Sequence, residues 1–223
     1  METVILIPAY NESKQIGPLL ERLTALGLKA LVIDDGSTDG TGSVAESKGA
    51  TVITHASNMG KGASLKTGFE HILRSGGGAE QIIVMDADGQ HAPEEISKFL
   101  DAATIQKDVL VIGNRMGNPE MMPLDRKLTN RFMSFIVSSI CGQRIPDTQC
   151  GFRLLKKDLL KSITIEFSRF EVESELLIKA ARAGKKIVSV PIQALYGKEK
   201  SQIKAFPDTI RFITFLFRLP FVK

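Results

Sequence analysis

The sequence predicts an α/β fold, a single domain built on a mainly parallel central sheet with helices on both faces. Three observations carry that expectation. Short apolar runs alternate with longer segments of helical spacing through the first half of the chain, the order that parallel strands and helical crossovers produce. The runs stop at polar or acidic clusters, residues 9–12, 34–39 and 86–90, where the carboxyl ends of strands in such a sheet gather a site. The chain has 223 residues, 43% of them hydrophobic, enough to build one large core.

Residues 3–8 form the first apolar run, closed by Pro8. Residues 12–26 have helical spacing, with Ile16, Leu19, Leu20, Leu23 and Leu26 on one stripe. The second strand, 28–33, stops at Asp34-Asp35-Gly36. A helix over 42–48 and a strand over 51–54 follow. Residues 62–74 form a helix whose stripe is Leu65, Phe69, Ile72 and Leu73. Residues 81–85 form the fourth strand, cut off by Asp86-Ala87-Asp88. A helix over 92–103 opens with Pro93-Glu94-Glu95, proline and acids where a helix start favours them. Residues 109–113 form the fifth strand. The second half is less regular: a helix over 125–141, a turn and short strand over 147–155, a helix over 170–183, a strand over 186–191 and a last helix over 207–219. Glu171, Glu175 and Lys179, four apart, read as ordinary pairing along a helix, and Glu173 and Glu175 as structural. No repeat, low-complexity tract or linker divides the chain, so residues 1–205 read as the domain and 206–223 as an extension.

Charge is unevenly placed. Residues 198–223 hold six cations against Glu199 and Asp208, so this tail carries the whole net charge of +4. Five of the twelve phenylalanines lie there too. Such a tail favours an anionic membrane surface over nucleic acid, whose binders spread cations over a face of the fold. Its helix is too short and too charged to cross a bilayer, which needs about 20 apolar residues. It reads as lying in the interface with its arginines reaching headgroups, or as packed on the protein's own core or on a partner. Cys141 and Cys150 have no metal-site spacing and read as reduced thiols of a cytosolic protein. The start, Met1-Glu2-Thr3-Val4, enters a strand directly, so no signal peptide is expected.

Asp86 and Asp88 are two carboxylates one residue apart, in a turn that leaves a buried strand. Side by side without a cation they would repel, and one would protonate. A divalent ion removes that cost, and hard oxygen ligands suit Mg²⁺ or Mn²⁺ completed by substrate phosphates. After the first strand, Tyr10 offers a flat face and Glu12 an acceptor. After the second, Gly36 permits a turn in which Ser37, Thr38 and Asp39 satisfy backbone donors. Lys61, flanked by glycines at a helix start, forms an anion site with exposed backbone N–H groups. Taken singly, each feature also has an ordinary structural reading: a packed aromatic, a turn cluster, a loop-to-helix junction.

Together they resemble the family-2 glycosyltransferases of the GT-A fold, and among these the dolichyl-phosphate mannose synthases and related polyprenyl-phosphate enzymes. The segments are IPAYNE (7–12), DDGSTDGT (34–41), NMGKGASLKTG (58–68), DADGQH (86–91), GNR (113–115), DTQCGFRLL (147–155) and SVPI (189–192), in the family's order. The resemblance implies an inverting transfer from a nucleotide-sugar donor, of GDP-mannose or UDP-glucose type, to a polyprenyl phosphate. It assigns the donor to Pro8, Ala9, Tyr10, Glu12, Asp34, Asp35, Lys61, Asp86 and Ala87, with Asp35 ahead of Asp34 for direct contact. It assigns the metal to Asp86, Asp88 and Gln90; by residue type His91 is a further candidate, and Asp88 and Asp147 read as catalytic. The acceptor phosphate falls to Arg115 and Arg126, to Asn130 where the family has serine, and to Lys198 and Lys200, where the family's cation pattern is shifted. A hydroxyl acceptor would need a general base and a lipid phosphate would not. Asp147 is therefore either that base or the group that orients the phosphate's surroundings.

Two other readings remain at this stage: the same donor chemistry directed to a hydroxyl on a glycan or lipid, and a membrane-peripheral, non-catalytic subunit that binds nucleotide sugar. The implied location is cytoplasmic, peripheral at the cytoplasmic face of the membrane. The tail or an integral membrane partner would supply the anchor, and a homodimer is a further partner the sequence allows.

Overall fold

The computed structural model describes residues 2–76, 78–106, 108–117, 122–193, 212 and 214–216. Lys198 and Lys200 lie outside the described residues, as does most of the tail. The elements follow in order: β1 (Glu2–Ala9), α1 (Ser13–Ala25), β2 (Lys29–Asp34), α2 (Thr41–Ser47), β3 (Thr51–Thr54), α3 (Lys61–Arg74), β4 (Ala79–Val84), α4 (Ile96–Ile105), β5 (Val109–Asn114), α5 (Leu124–Cys141), β6 (Arg153–Lys156), α6 (Lys157–Ser162), α7 (Val172–Arg182) and β7 (Lys186–Pro191). The acidic start foreseen for the fourth helix is a separate 3₁₀ turn, Pro93–Glu95, that leads into α4.

The seven strands form one sheet in the order β3-β2-β1-β4-β6-β5-β7. All neighbours are parallel except β6, which is antiparallel to both β4 and β5. Packed on this sheet, α1 touches α2 and the Pro93–Glu95 turn, while α3 touches α6 and α7, and α7 touches α5. Ile5–Ile7, Leu31–Ile33, Ile82–Met85 and Val109–Ile112 are almost wholly buried. A strand covered on both faces needs apolar side chains at every position, which is why these runs do not alternate.

The antiparallel β6 matters for the site. It enters the sheet from the end where the parallel strands leave it, with Arg153 opposite Val84. Residues 147–152, which precede it, are thereby delivered beside residues 86–91.

One expectation about the second half changes, and the readings of the tail are narrowed. Glu175 and Lys179 do pair, at 3.2 Å, but both are buried rather than on a solvated helix face. Glu175 also accepts the backbone N–H groups of Glu166 and Phe167, at 2.8 and 3.1 Å, so it fastens the loop before α7. In the tail, Phe212 and Thr214–Leu216 are helical, and Phe212 and Phe215 are buried. The Phe215 ring meets Phe167 edge-on at 4.9 Å. These residues pack on the protein's own core rather than facing outward. Among the described residues, no helix is long and apolar enough to cross a membrane. Cys141 and Cys150 are free thiols, and burial pushes them up to about 11 and about 12, which keeps both protonated and inert.

Candidate active site

The loops that leave β1 and β2 hold each other. No side chain at the start of α1 caps its own helix. Its neighbouring donors are met across the sheet: Thr41 Oγ1 accepts the Glu12 N–H at 2.8 Å, and Asp39 Oδ2 accepts the Ser13 N–H at 3.0 Å. Asn11, left-handed at φ 54°, donates its N–H to Ser37 Oγ and accepts the Thr38 N–H, both at 2.9 Å. Asp39 is thus a cap, as its turn position implied. Burial raises its carboxyl, and the bonds from Thr41 and Ser13 outweigh that and hold it at about 2. The clasp fixes half-buried Tyr10 and Glu12 beside Asp34 and Asp35.

Asp35, expected to touch the nucleotide, is a structural brace in this geometry. It is 3% exposed. Its oxygens accept the N–H groups of Met59 at 2.9 Å and Gly60 at 2.7 Å, and Oδ1 also meets His55 Nδ1 at 2.7 Å. His55 is held in turn by Thr67 Oγ1 at 2.9 Å. This chain ties the end of β2 to the loop before α3. Asp34 accepts the Ser37 N–H at 3.0 Å.

The start of α3 departs from the open anion site expected there. Gly60 and Gly62 lie against the Phe167–Ser168 backbone so closely that a Cβ at either would collide with a carbonyl oxygen. The Ala63 N–H donates to Ser168 O at 3.1 Å. The glycines serve this close packing. Lys61 itself reaches two carboxylates, Asp86 and Glu173, the latter at 2.6 Å. The second Glu173 oxygen pairs with Arg153 at 2.6 Å. Arg153 is 1% exposed and also donates to the carbonyls of Thr148, Cys150 and Glu173. An unbroken ionic chain, Asp86–Lys61–Glu173–Arg153, therefore runs from the triplet into the core.

Burial alone would lower the Lys61 ammonium, and Asp86 and Glu173 more than reverse this, so it is raised and stays charged. Burial works to raise Asp86, but Lys61, with help from His91 and Arg115, holds it at about 2. Gly151 makes room for this contact: a Cβ there would lie 2.5 Å from Asp86 Oδ2 and 2.8 Å from Lys61 Nζ.

His91 is 2% exposed, and burial pushes it down to about 4, so it is neutral at pH 7. Its Nδ1 accepts the Asp86 N–H at 3.3 Å, which places its proton on Nε2. The ring stacks on Phe152, and Phe152 on Phe99, with centroids 5.0 and 4.2 Å apart. His91 thus positions the backbone of the triplet. Asp88 Oδ1 accepts the Gln90 N–H at 2.9 Å, closing the turn. Ala87 between the two acids is buried.

Across the site, Arg115 follows β5 and meets Asp147, which has no exposed surface. The pair is bidentate: Nε to Oδ2 at 2.8 Å and an Nη to Oδ1 at 3.0 Å. The Arg115 N–H and the Asn130 amide add bonds of 3.1 and 2.7 Å to the same carboxylate. Burial raises the Asp147 carboxyl, and these donors more than reverse it, so it stays ionised. Asn130, expected at the acceptor phosphate, is 5% exposed and turned inward. It donates to Asp147 and accepts from Ser134 Oγ at 2.9 Å. Arg126, one turn earlier on α5, is half-buried and has no ion pair among the described residues.

Among the described residues, no group of three or more His, Cys, Asp or Glu side chains could hold a metal by itself. Asp86 and Asp88 offer two hard-oxygen ligands at the mouth of the fold. That set fits Mg²⁺ or Mn²⁺, which commonly take one or two carboxylates and complete their shell with water and substrate phosphate.

The glycosyl transferase family 2 profile matches residues 4–164. The chain belongs to that family. This glycosyltransferase is 33% identical to the UDP-N-acetylglucosamine–dolichyl-phosphate N-acetylglucosaminyltransferase of Methanococcus voltae, over 86% of this chain and 85% of that one. It is 31% identical to the polyprenol monophosphomannose synthase of Mycolicibacterium smegmatis, over 85% and 76%. Its fold matches that of glucosyl-3-phosphoglycerate synthase from Mycobacterium tuberculosis, solved with Mn²⁺, UDP and phosphoglyceric acid. The TM-score is 0.73 at 19% identity, covering 96% of this chain and 77% of that one. The glycosyltransferase therefore has the mainly parallel, helix-covered GT-A sheet that its sequence predicts.

Missed in the sequence were Glu173, Arg153, Gly151 and His55. The first two lie in motif-bearing or helical stretches, but their partners are far away in the chain.

Proposed function

We propose that this glycosyltransferase moves a sugar, with inversion, from a nucleotide-sugar donor to a polyprenyl phosphate. The observation that carries the acceptor is the Arg115–Asp147 pair. The carboxylate beside the acceptor arginine already accepts four hydrogen bonds and is held ionised, so it is a poor proton acceptor. A hydroxyl nucleophile would need a base there, whereas a phosphate arrives as an anion and needs only cations. Two relatives bear names of polyprenyl- and dolichyl-phosphate enzymes, which supports the same acceptor.

On this reading, Asp86 and Asp88 hold a divalent ion, supported by Gln90, with Tyr10, Glu12 and Asp34 beside the nucleotide. A structural neighbour solved with Mn²⁺ and UDP supports both the ion and a nucleoside diphosphate. When bound, the ion supplies charge neutralisation for the donor diphosphate and for the leaving group. Lys61, kept charged by Asp86 and Glu173, adds a cation on the donor side. Arg115, locked by Asp147, and Arg126 bring the acceptor phosphate up. Its oxygen bonds to the anomeric carbon from the face opposite the diphosphate as the bond to the diphosphate breaks. Asp147 acts as a positioning residue. The acceptor lies in a bilayer, so the enzyme works at the cytoplasmic face of a membrane.

The test is incubation with labelled UDP- and GDP-sugars, Mn²⁺ and a polyprenyl phosphate. Labelled lipid-phosphate sugar is the expected product. Label that passes only to hydroxyl acceptors would overturn the proposal.

A further inference from the structure

Helix α5 turns polar side chains inward beside the buried Val137 and keeps a large apolar stripe outside. A surface helix normally turns its apolar stripe to the core and its polar residues to water. Here the polar residues face inward: Asn130 holds Asp147, Ser134 meets Thr148, and Ser138 exchanges bonds with the Ile145 backbone. The outward face carries Leu124, Leu128, Phe132 and Phe135, which are 70, 57, 64 and 72% exposed. At a helical turn of about 100° per residue these four share one arc of about 80°. Half of the eight large exposed hydrophobic side chains among the described residues lie on this one stripe.

Lys127 and Arg131, four apart, border the stripe, and Arg126 lies on the same helix, whose one acidic residue is Asp125. Aromatic and leucine side chains edged with cations are what an amphipathic helix presents to an anionic bilayer. A second copy fits less well, because self-paired faces bring these cations against each other. The tail does not fill this role in its described residues, since Phe212 and Phe215 are buried.

We propose that the outward face of α5 seats the enzyme on an anionic membrane surface. The inward face of the same helix positions Asp147 through Asn130, and Asp147 positions Arg115. Docking α5 therefore sets the acceptor arginines at the level of lipid phosphates, so an acceptor can be engaged without leaving its bilayer. This goes beyond the acceptor reading, and vesicle binding is measured without turnover, so the two fail separately.

The test is flotation of the full chain with vesicles of phosphatidylcholine alone and with about 30% phosphatidylglycerol. Binding to the anionic vesicles, weakened by salt, is expected. Leu128→Ser, Phe132→Ser and Phe135→Ser together should cut binding at least about tenfold with the circular dichroism spectrum unchanged. Lys127→Glu with Arg131→Glu should remove the preference for anionic vesicles. Phe135→Trp gives an independent reading, a blue shift of its fluorescence when vesicles are added. No binding by the native chain would overturn the proposal. So would full binding by the triple variant, or a concentration-dependent dimer that the triple variant loses while vesicles are ignored.

Discussion

Two carboxylates on opposite sides of the site, Asp86 and Asp147, face similar chemistry and solve it differently. Both pair with a cation, and both are held ionised. Asp147 is fully buried and accepts four donors from two residues, including a bidentate arginine. Asp86 keeps 27% of its side chain exposed and shares one flexible lysine with Glu173. A saturated buried carboxylate has no acceptor to spare; a partly exposed one that shares its lysine can take a further partner. On the proposed function, the difference separates a residue that orients an arginine from one that can admit an ion and a diphosphate.

The strongest way to break this contrast is at the rim. Asp88→Ala should lower transfer at least about 1000-fold while the protein still folds, because the second carboxylate of the proposed ion site is lost together with only one turn bond, that from the Gln90 N–H. Full activity would remove Asp88 from the site. Next is Asp147→Asn, which leaves the Arg115 guanidinium facing a neutral group in a buried place. We expect a stability loss of about 4 kcal/mol in urea unfolding and a raised KM for the acceptor, with nucleotide affinity unchanged. If Asp147 were a general base instead, kcat would collapse and its pH profile would lose a limb.

His91 sharpens the contrast through pH. Its folded value, about 4, lies below the ordinary imidazole value of 6.5, so the unfolded chain takes up its proton first as the pH falls. Stability is therefore intact above about pH 6.5 and lost toward pH 4, by on the order of 3 kcal/mol. His91→Gln should flatten that slope in urea titrations, leaving the loss below pH 4 that comes from Asp86 and Asp147. A slope that persists unchanged in the variant would mean another group drives it. The smallest effect is expected at Gly151→Ala, whose methyl crowds Asp86 and Lys61. Nucleotide affinity with Mn²⁺ should fall about tenfold, with the apo protein destabilised by only about 1 kcal/mol. Unchanged affinity would show that the Asp86 carboxylate need not hold its present place.

Much of the fold was legible because a strand buried on both faces must be apolar throughout, and β1, β2, β4 and β5 are. The strand ends were legible for the same reason, since the runs break at Asp34 and Asp86. The antiparallel direction of β6 was not, because a four-residue strand carries no sign of its partners. Neither was α6, six residues long and too short for a periodic stripe. At the site, residue type singled out Asp86 and Asp88 as paired acids at a strand end, whereas Arg115 came from the family resemblance. It did not reveal the partners of Glu173, read as structural, because Lys61 and Arg153 come from α3 and β6. It failed for Asn130 because position along a helix does not tell which face turns inward. The glycines around Lys61 suggested phosphate, yet they serve packing on residues 167–168.

The central claim, that Asp86 and Asp88 grip a donor diphosphate through a divalent ion, is tested most directly by melting the protein with UDP or GDP, with and without Mn²⁺. A ligand that binds only the folded state raises Tm in proportion to its occupancy. The account expects one nucleotide to raise Tm only when Mn²⁺ is present, and Asp88→Ala to abolish that rise. An equal rise without metal, or an undiminished rise in Asp88→Ala, would contradict it.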